Sequence, residues 1–113
     1  MPAERDERLY VSDMRDAVDR ILRYTVGGRT AFFADAMVQD AVIRNLEVMG
    51  EAVRKVPEST RSAHPGIPWK QIAGTRDRVI HGYFTVDLEI AWEIVETELP
   101  PLRDRLAALF PEA

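Results

Sequence analysis

The sequence predicts an all-α protein, a single domain over residues 1–113 built as a four- to five-helix antiparallel up-and-down bundle. Two observations carry this reading. Apolar residues recur at steps of three and four over most of the chain, the spacing of a helix face. No tract alternates apolar and polar residues for a useful strand length, and no internal repeat or low-complexity segment interrupts the pattern. A length of 113 residues fits one domain, which should bury about two thirds of its unfolded surface. With 46% hydrophobic and 30% charged residues, the composition lies outside the disordered range.

In the first element Val11, Met14, Val18, Ile21, Leu22 and Thr25 share a face. Asp16 with Arg20 and Asp19 with Arg23 make i,i+4 pairs on other faces, and Gly27-Gly28 stops the helix. Val38, Val42, Leu46, Met49, Val53 and Val56 then step by 4, 4, 3, 4 and 3 up to Pro57, giving a second helix. Ile43, Val48 and Ala52 lie off that stripe, which implies a crowded interior or an oligomer contact, and Gly50 permits close backbone approach. Between Pro57 and Trp69 three prolines and Gly66 leave a loop, with room for one short helical turn around Glu58 to Ala63. A shorter helix follows, from Trp69 or Thr75 to near His81, where Gly82 can end it. Asp87 is placed to N-cap the last element. There Leu88, Trp92, Val95, Leu99, Leu102, Leu106 and Leu109 step by 4, 3, 4, 3, 4 and 3. This stripe crosses Pro100-Pro101. Proline removes a donor and clashes with the preceding turn, so the helix should kink or restart there with the same face still buried.

Much chemistry is excluded for lack of parts. The absence of cysteine removes disulfides, thiolate-ligated zinc, iron–sulfur clusters and thiol nucleophiles. The longest charge-free runs, Ser62 to Trp69 and Val79 to Val86, are eight residues, far short of the roughly 20 that span a bilayer. Met1-Pro-Ala-Glu-Arg-Asp-Glu-Arg lacks the apolar run of a secretory signal, so a cytoplasmic protein without a membrane segment is expected. There is no G-x-x-x-x-G-K-[ST] loop, G-x-S-x-G elbow or H-E-x-x-H pair. No carboxylate cluster has metal-ligand spacing, and neither a metal nor a cofactor is expected.

Fifteen basic and nineteen acidic residues give a net charge of −4, but the charge is segregated. From Arg54 to Arg78 six basic residues stand against two acidic ones, a local +4 that leaves −8 for the remainder. Such a segment can contact phosphates, form a solvated loop rim or meet an acidic partner. Within it, Arg76-Asp77-Arg78-Val79-Ile80-His81-Gly82-Tyr83 gathers a guanidinium, an imidazole and a phenol. These are a phosphate clamp, a proton-transfer group and a hydroxyl. On a continuous helix Arg76 and His81 would lie about 140° apart around the axis and about 7.5 Å along it. A two-fold pairing of copies presents the same patch twice and would bring four such groups into one cleft. His81 as a helix cap and Tyr83 as a core residue fit the sequence equally well. His64, between Ala63 and Pro65, reads as an ordinary loop residue.

The spacing Arg76-x4-His81-x-Tyr83 resembles the R-x4-6-H-x-Y signature of the HEPN superfamily. More specifically it resembles HepT-like toxins, which pair with a minimal nucleotidyltransferase antitoxin, MntA. Tyr24-Thr25-Val26-Gly27-Gly28, Asp40-Ala41-Val42-Ile43-Arg44-Asn45-Leu46, Gly50-Glu51-Ala52, Ile67-Pro68-Trp69 and Trp92 followed by Leu99-Pro100 extend the resemblance over nearly the whole chain. Asp77 stands where HepT proteins commonly have asparagine. The resemblance implies a HEPN-like homodimer whose paired motifs line one cleft, acting as a metal-independent ribonuclease on RNA. Arg76 would hold the scissile phosphate and His81 would move the proton, with the RNA 2′-hydroxyl as nucleophile. The products would be a 2′,3′-cyclic phosphate and a 5′-hydroxyl. It further implies that an MntA-like antitoxin silences the toxin by transferring AMP from ATP onto Tyr83, adding bulk and negative charge where RNA phosphate would sit. Asp77, Arg78 and Glu51 are supporting candidates. Surface pairing of Asp77 and Arg78, and a salt bridge of Glu51 with Arg54 or Lys55, remain the simpler readings. Two other classes stay open: a non-catalytic HEPN module binding a nucleotide or a nucleotidyltransferase, and a purely structural helical dimer.

Overall fold

A computed structural model describes residues 6–82 and 85–109. The chain runs through α1 (Glu7–Tyr24), α2 (Gly28–Ala34), α3 (Ala36–Lys55), α4 (Glu58–Ala63), α5 (Trp69–Ala73) and α6 (Thr75–Val79). Two short strands, β1 (Ile80–His81) and β2 (Thr85–Val86), precede α7 (Leu88–Glu93). This last helix continues through a wide π-helical turn, Ile94–Glu98, into α8 (Leu99–Leu109). The architecture is an all-α bundle in which α1 packs along α3 and α8 packs on α1. Among the described residues no helix is long and apolar enough to cross a membrane.

The predicted stripes are the core. Val11, Met14, Val18 and Ile21 of α1 are buried with Val42, Leu46, Met49 and Val53 of α3, and Trp92, Val95, Leu99, Leu102 and Leu106 close the third side. Helix starts are capped as the composition demands. Asp6 accepts from the Arg8 amide, Asp35 from Met37 and Val38, and Asp87 from Ile90. The Thr60 hydroxyl donates to Glu7 Oε2 at 2.7 Å. That contact sets the far end of α3 beside the start of α1, so the two helices are antiparallel.

Three features depart from the periodicity. Helix α2 fills a stretch with no sustained stripe; it starts at Gly28, whose φ of +86° turns the chain out of α1. Phe32 is its one buried residue, stacked against Trp92 with ring centres 5.4 Å apart. The helix predicted to reach His81 ends instead at Val79. His81 lies on β1, pairing with Thr85 while Ile80 pairs with Val86. The expected disturbance at Pro100-Pro101 takes the form of the π-helical turn just before it. Neither proline can donate to the carbonyl four residues back, and the ring would crowd it. The chain widens, and the Leu99 amide bonds Ile94, five residues back. The buried face continues unbroken through the wide turn.

Candidate active site

The Arg76–Tyr83 segment is set against α3 by the short helices α5 and α6. The backbone of α5 passes close to Gly50 of α3: a methyl there would just touch it, 3.5 Å from the Ile72 carbonyl and 3.7 Å from that of Ala73. A larger side chain would push α5 away. Ile72, Thr75 and Val79 are buried in this contact, and Thr75 Oγ1 donates to the Gln71 carbonyl at 3.2 Å. Arg54 of α3 adds a bond from Nη2 to the Ala73 carbonyl at 3.2 Å.

Arg76 therefore leaves α6 on the side facing α3. Its Nε lies 3.5 Å from Glu47 Oε2 and its Nη1 3.8 Å from Asp77 Oδ1, with the side chain 54% exposed. His81 projects from β1 and is 52% exposed, its Nε2 4.0 Å from Asp87 Oδ2. Asp87 does two things at once: Oδ1 accepts from the Ile90 amide at 3.0 Å while Oδ2 faces the imidazole. The Asp87 amide also donates to the Val79 carbonyl at 2.7 Å, closing the hairpin base beneath His81. Arg76 and His81 thus occupy consecutive elements, each with a carboxylate within 4.0 Å and each open to solvent. A groove of ≈ 390 Å³ lies alongside, lined by Asp40, Ile43, Arg44 and Glu47 of α3 with Val86 and Leu88.

The supporting candidates are placed differently. Arg78 makes two hydrogen bonds to Glu98, at 2.9 and 2.7 Å. Those bonds raise its guanidinium further above its ordinary value against the opposing effect of burial. Gln71 donates to the same carboxylate at 3.1 Å. Arg78 is therefore an anchor of α6 to the C-terminal rod and is not free for phosphate. Asp77 is exposed beside Arg76. Glu51 pairs with Arg54 at 3.1 Å, the simpler of its two readings. Tyr83 lies outside the described residues. His64 is half-buried, and its carbonyl accepts from Trp69 Nε1 at 2.9 Å, so its backbone pins the loop to α5. Among the described residues no group of three His, Asp or Glu side chains could hold a metal ion.

Sequence reasoning missed Glu47 and saw Asp87 only as a cap. Glu47 follows the buried Leu46 on α3, and nothing local marks it, because its partner is 29 positions away in the chain.

Comparison with known proteins covers the bundle and this segment together. The family model described as "Ribonuclease HepT-like" matches residues 14–109. A Thermococcus cleftensis protein named "Probable ribonuclease HepT" is 36% identical over 110 residues, covering 94% of this chain and 97% of that protein. A Methanocaldococcus jannaschii protein, whose name pairs a gamma-glutamylcyclotransferase with a candidate RNase, is 35% identical over 109 residues. That alignment covers 96% of this chain and 49% of the relative, so the chain spans about half its length. No solved structure matches. The family match, running through the bundle and the Arg-His segment alike, establishes that the chain belongs to the HepT-like ribonuclease family.

Proposed function

We propose that the chain is the toxin of a toxin–antitoxin pair, a metal-independent endoribonuclease that works as a homodimer. The observation that carries this reading is the placement of Arg76 and His81 on consecutive elements, both open to solvent and each with a carboxylate nearby. RNA brings its own nucleophile, so the protein needs no serine or cysteine. His81 takes the 2′-hydroxyl proton as that oxygen attacks phosphorus, and the P–O5′ bond breaks to leave a 2′,3′-cyclic phosphate and a 5′-hydroxyl. Arg76 exchanges its looser contact with Glu47 for the phosphate and stabilises charge on the phosphorane oxygens. A two-fold mate supplies a second Arg76 and His81 to the same cleft, which lets one imidazole act as base while the other protonates the leaving oxygen.

Tyr83 is the off switch in this reading. A cognate MntA-like nucleotidyltransferase joins the Tyr83 phenolic oxygen to the α-phosphorus of ATP, with pyrophosphate leaving and the phenolic proton lost. The added phosphate repels an RNA strand two residues from His81. Cleavage of RNA that persists in EDTA and yields cyclic-phosphate ends is the expected outcome; an absolute requirement for Mg²⁺ overturns it. Incubation with the nucleotidyltransferase and ATP should add the mass of AMP to the wild type and not to Tyr83→Phe.

A further inference from the structure

Positive charge also collects in the groove between α4 and α5. Arg61 and Ser62 of α4 and Lys70 and Gln71 of α5 line a cavity of ≈ 640 Å³, together with Ile67 and Pro68. Its two cations differ from those nearer the candidate active site. Arg78 is committed to Glu98 and Arg54 to Glu51, while Arg76 keeps a looser contact with Glu47. No described carboxylate lies within ion-pair distance of Arg61 or Lys70, although Glu58 lines the same cavity. The Arg61 Nε is shut off from solvent and has no acceptor. A buried donor in that state carries a free-energy cost, so the Arg61 side chain gains by turning out to meet an anionic oxygen in the groove.

The cavity leads toward Arg76. Ala73, the last residue of α5, lines it, and the Ala73 carbonyl is where Arg54 Nη2 is bound. Arg76 follows within a turn on α6. Lys70 and Arg76 lie on consecutive short helices, α5 and α6, joined at Gly74. The segment from Arg54 to Arg78 carries +4 against −8 for the remainder, so a polyanion is drawn here and repelled elsewhere.

We infer that the α4–α5 groove binds the phosphodiester backbone of single-stranded RNA, with Arg61 and Lys70 holding the strand on its way to Arg76. This rests on the ribonuclease reading above and adds the place of the substrate beyond the scissile bond. The groove touches phosphate, so it contributes affinity and register without reading bases.

The test compares kcat/KM on a long unstructured RNA with kcat/KM on a dinucleotide that cannot reach the groove. In Arg61→Ala/Lys70→Ala the ratio of the two should fall about tenfold, mostly through KM. The slope of log KM against log salt should flatten by about 1.4, or about 0.7 for each phosphate no longer neutralised. Lys70→Glu, at an exposed position where folding is not at stake, should move the ratio the same way. Arg20→Ala/Arg23→Ala removes equal charge from α1 and should leave ratio and slope at wild-type values. A wild-type ratio and slope in the groove variants overturns the inference. If the wild type cleaves neither substrate, the catalytic reading fails, and the groove is judged by binding of fluorescent oligouridine. Weaker binding by the groove variants upholds it, whereas unchanged or absent wild-type binding overturns it. Binding of polyglutamate in place of oligouridine, abolished in the same variants, assigns the groove to an acidic protein partner and also overturns it.

Discussion

The bundle of α1, α3 and α8 and the corner from 64 to 87 are held together by different physics. In the bundle Met14, Ile21, Leu46, Met49 and Leu106 are fully buried, and stability comes from non-directional burial spread over many side chains. The corner buries much less. Its shape depends on single directional bonds: Trp69 Nε1 to the His64 carbonyl, Arg54 to Ala73, Arg78 to Glu98 and the Asp87 amide to Val79. The contrast teaches where function can be placed. A stripe of leucines makes a rigid wall but leaves nothing polar free, whereas a corner pinned at a few points can present Arg76 and His81 to solvent without losing its form.

Separating the two regions by mutation sharpens this comparison. The largest effect should come from His81→Ala, a substitution at a side chain 52% exposed and outside the core. Cleavage should fall about 10²- to 10⁴-fold while the thermal midpoint stays within error of wild type; a matching loss of stability would show that the corner and the bundle are not separable. Leu46→Ala should do the converse in the bundle. It should cost about 2–5 kcal/mol of unfolding free energy in a denaturant titration, with the folded fraction keeping its kcat. Glu98→Gln tests the seam between the regions. The pair it forms with Arg78 is about a third exposed, so solvent screening limits the loss to about 1 kcal/mol. Cleavage should weaken beyond that, because α6 loses its anchor. The finest test splits Asp87. Asp87→Ala removes the cap and should cost about 1 kcal/mol, whereas Asp87→Asn keeps the cap and should lower cleavage several-fold at nearly unchanged stability. Equal activity in Asp87→Asn and wild type would remove Asp87 from the site.

The bundle was legible in the sequence because burial there is periodic. Every position of the α3 and C-terminal stripes from Val42 to Val56 and from Trp92 to Leu106 is buried as its spacing requires. Short local signals were legible too, including the turn of helix at Glu58–Ala63 and the cap at Asp87. What escaped is set by interactions that sequence distance hides. Helix α2 is seven residues long, too short for two turns of pattern, and is held by Phe32 meeting Trp92. The two-residue strands carry no alternation, and they sit on a bond between residues eight apart, the Asp87 amide to the Val79 carbonyl. At the candidate site Arg76 and His81 were visible as a motif. Glu47, the carboxylate beside Arg76, was not, since the packing of α6 on α3 brings together residues 29 positions apart.

The wide turn before Pro100-Pro101 has a consequence for how this family member tolerates change in length. Each residue of an α-helix advances about 100° around its axis, so the extra residue accommodated between Ile94 and Glu98 sets the phase at which the Glu98 carboxylate meets Arg78 and Gln71. Leucines on both sides of the turn can slide and still find an apolar neighbour; a carboxylate serving two donors cannot. The proline pair therefore acts as an indexing device, clocking the rod against the arm that carries Arg76.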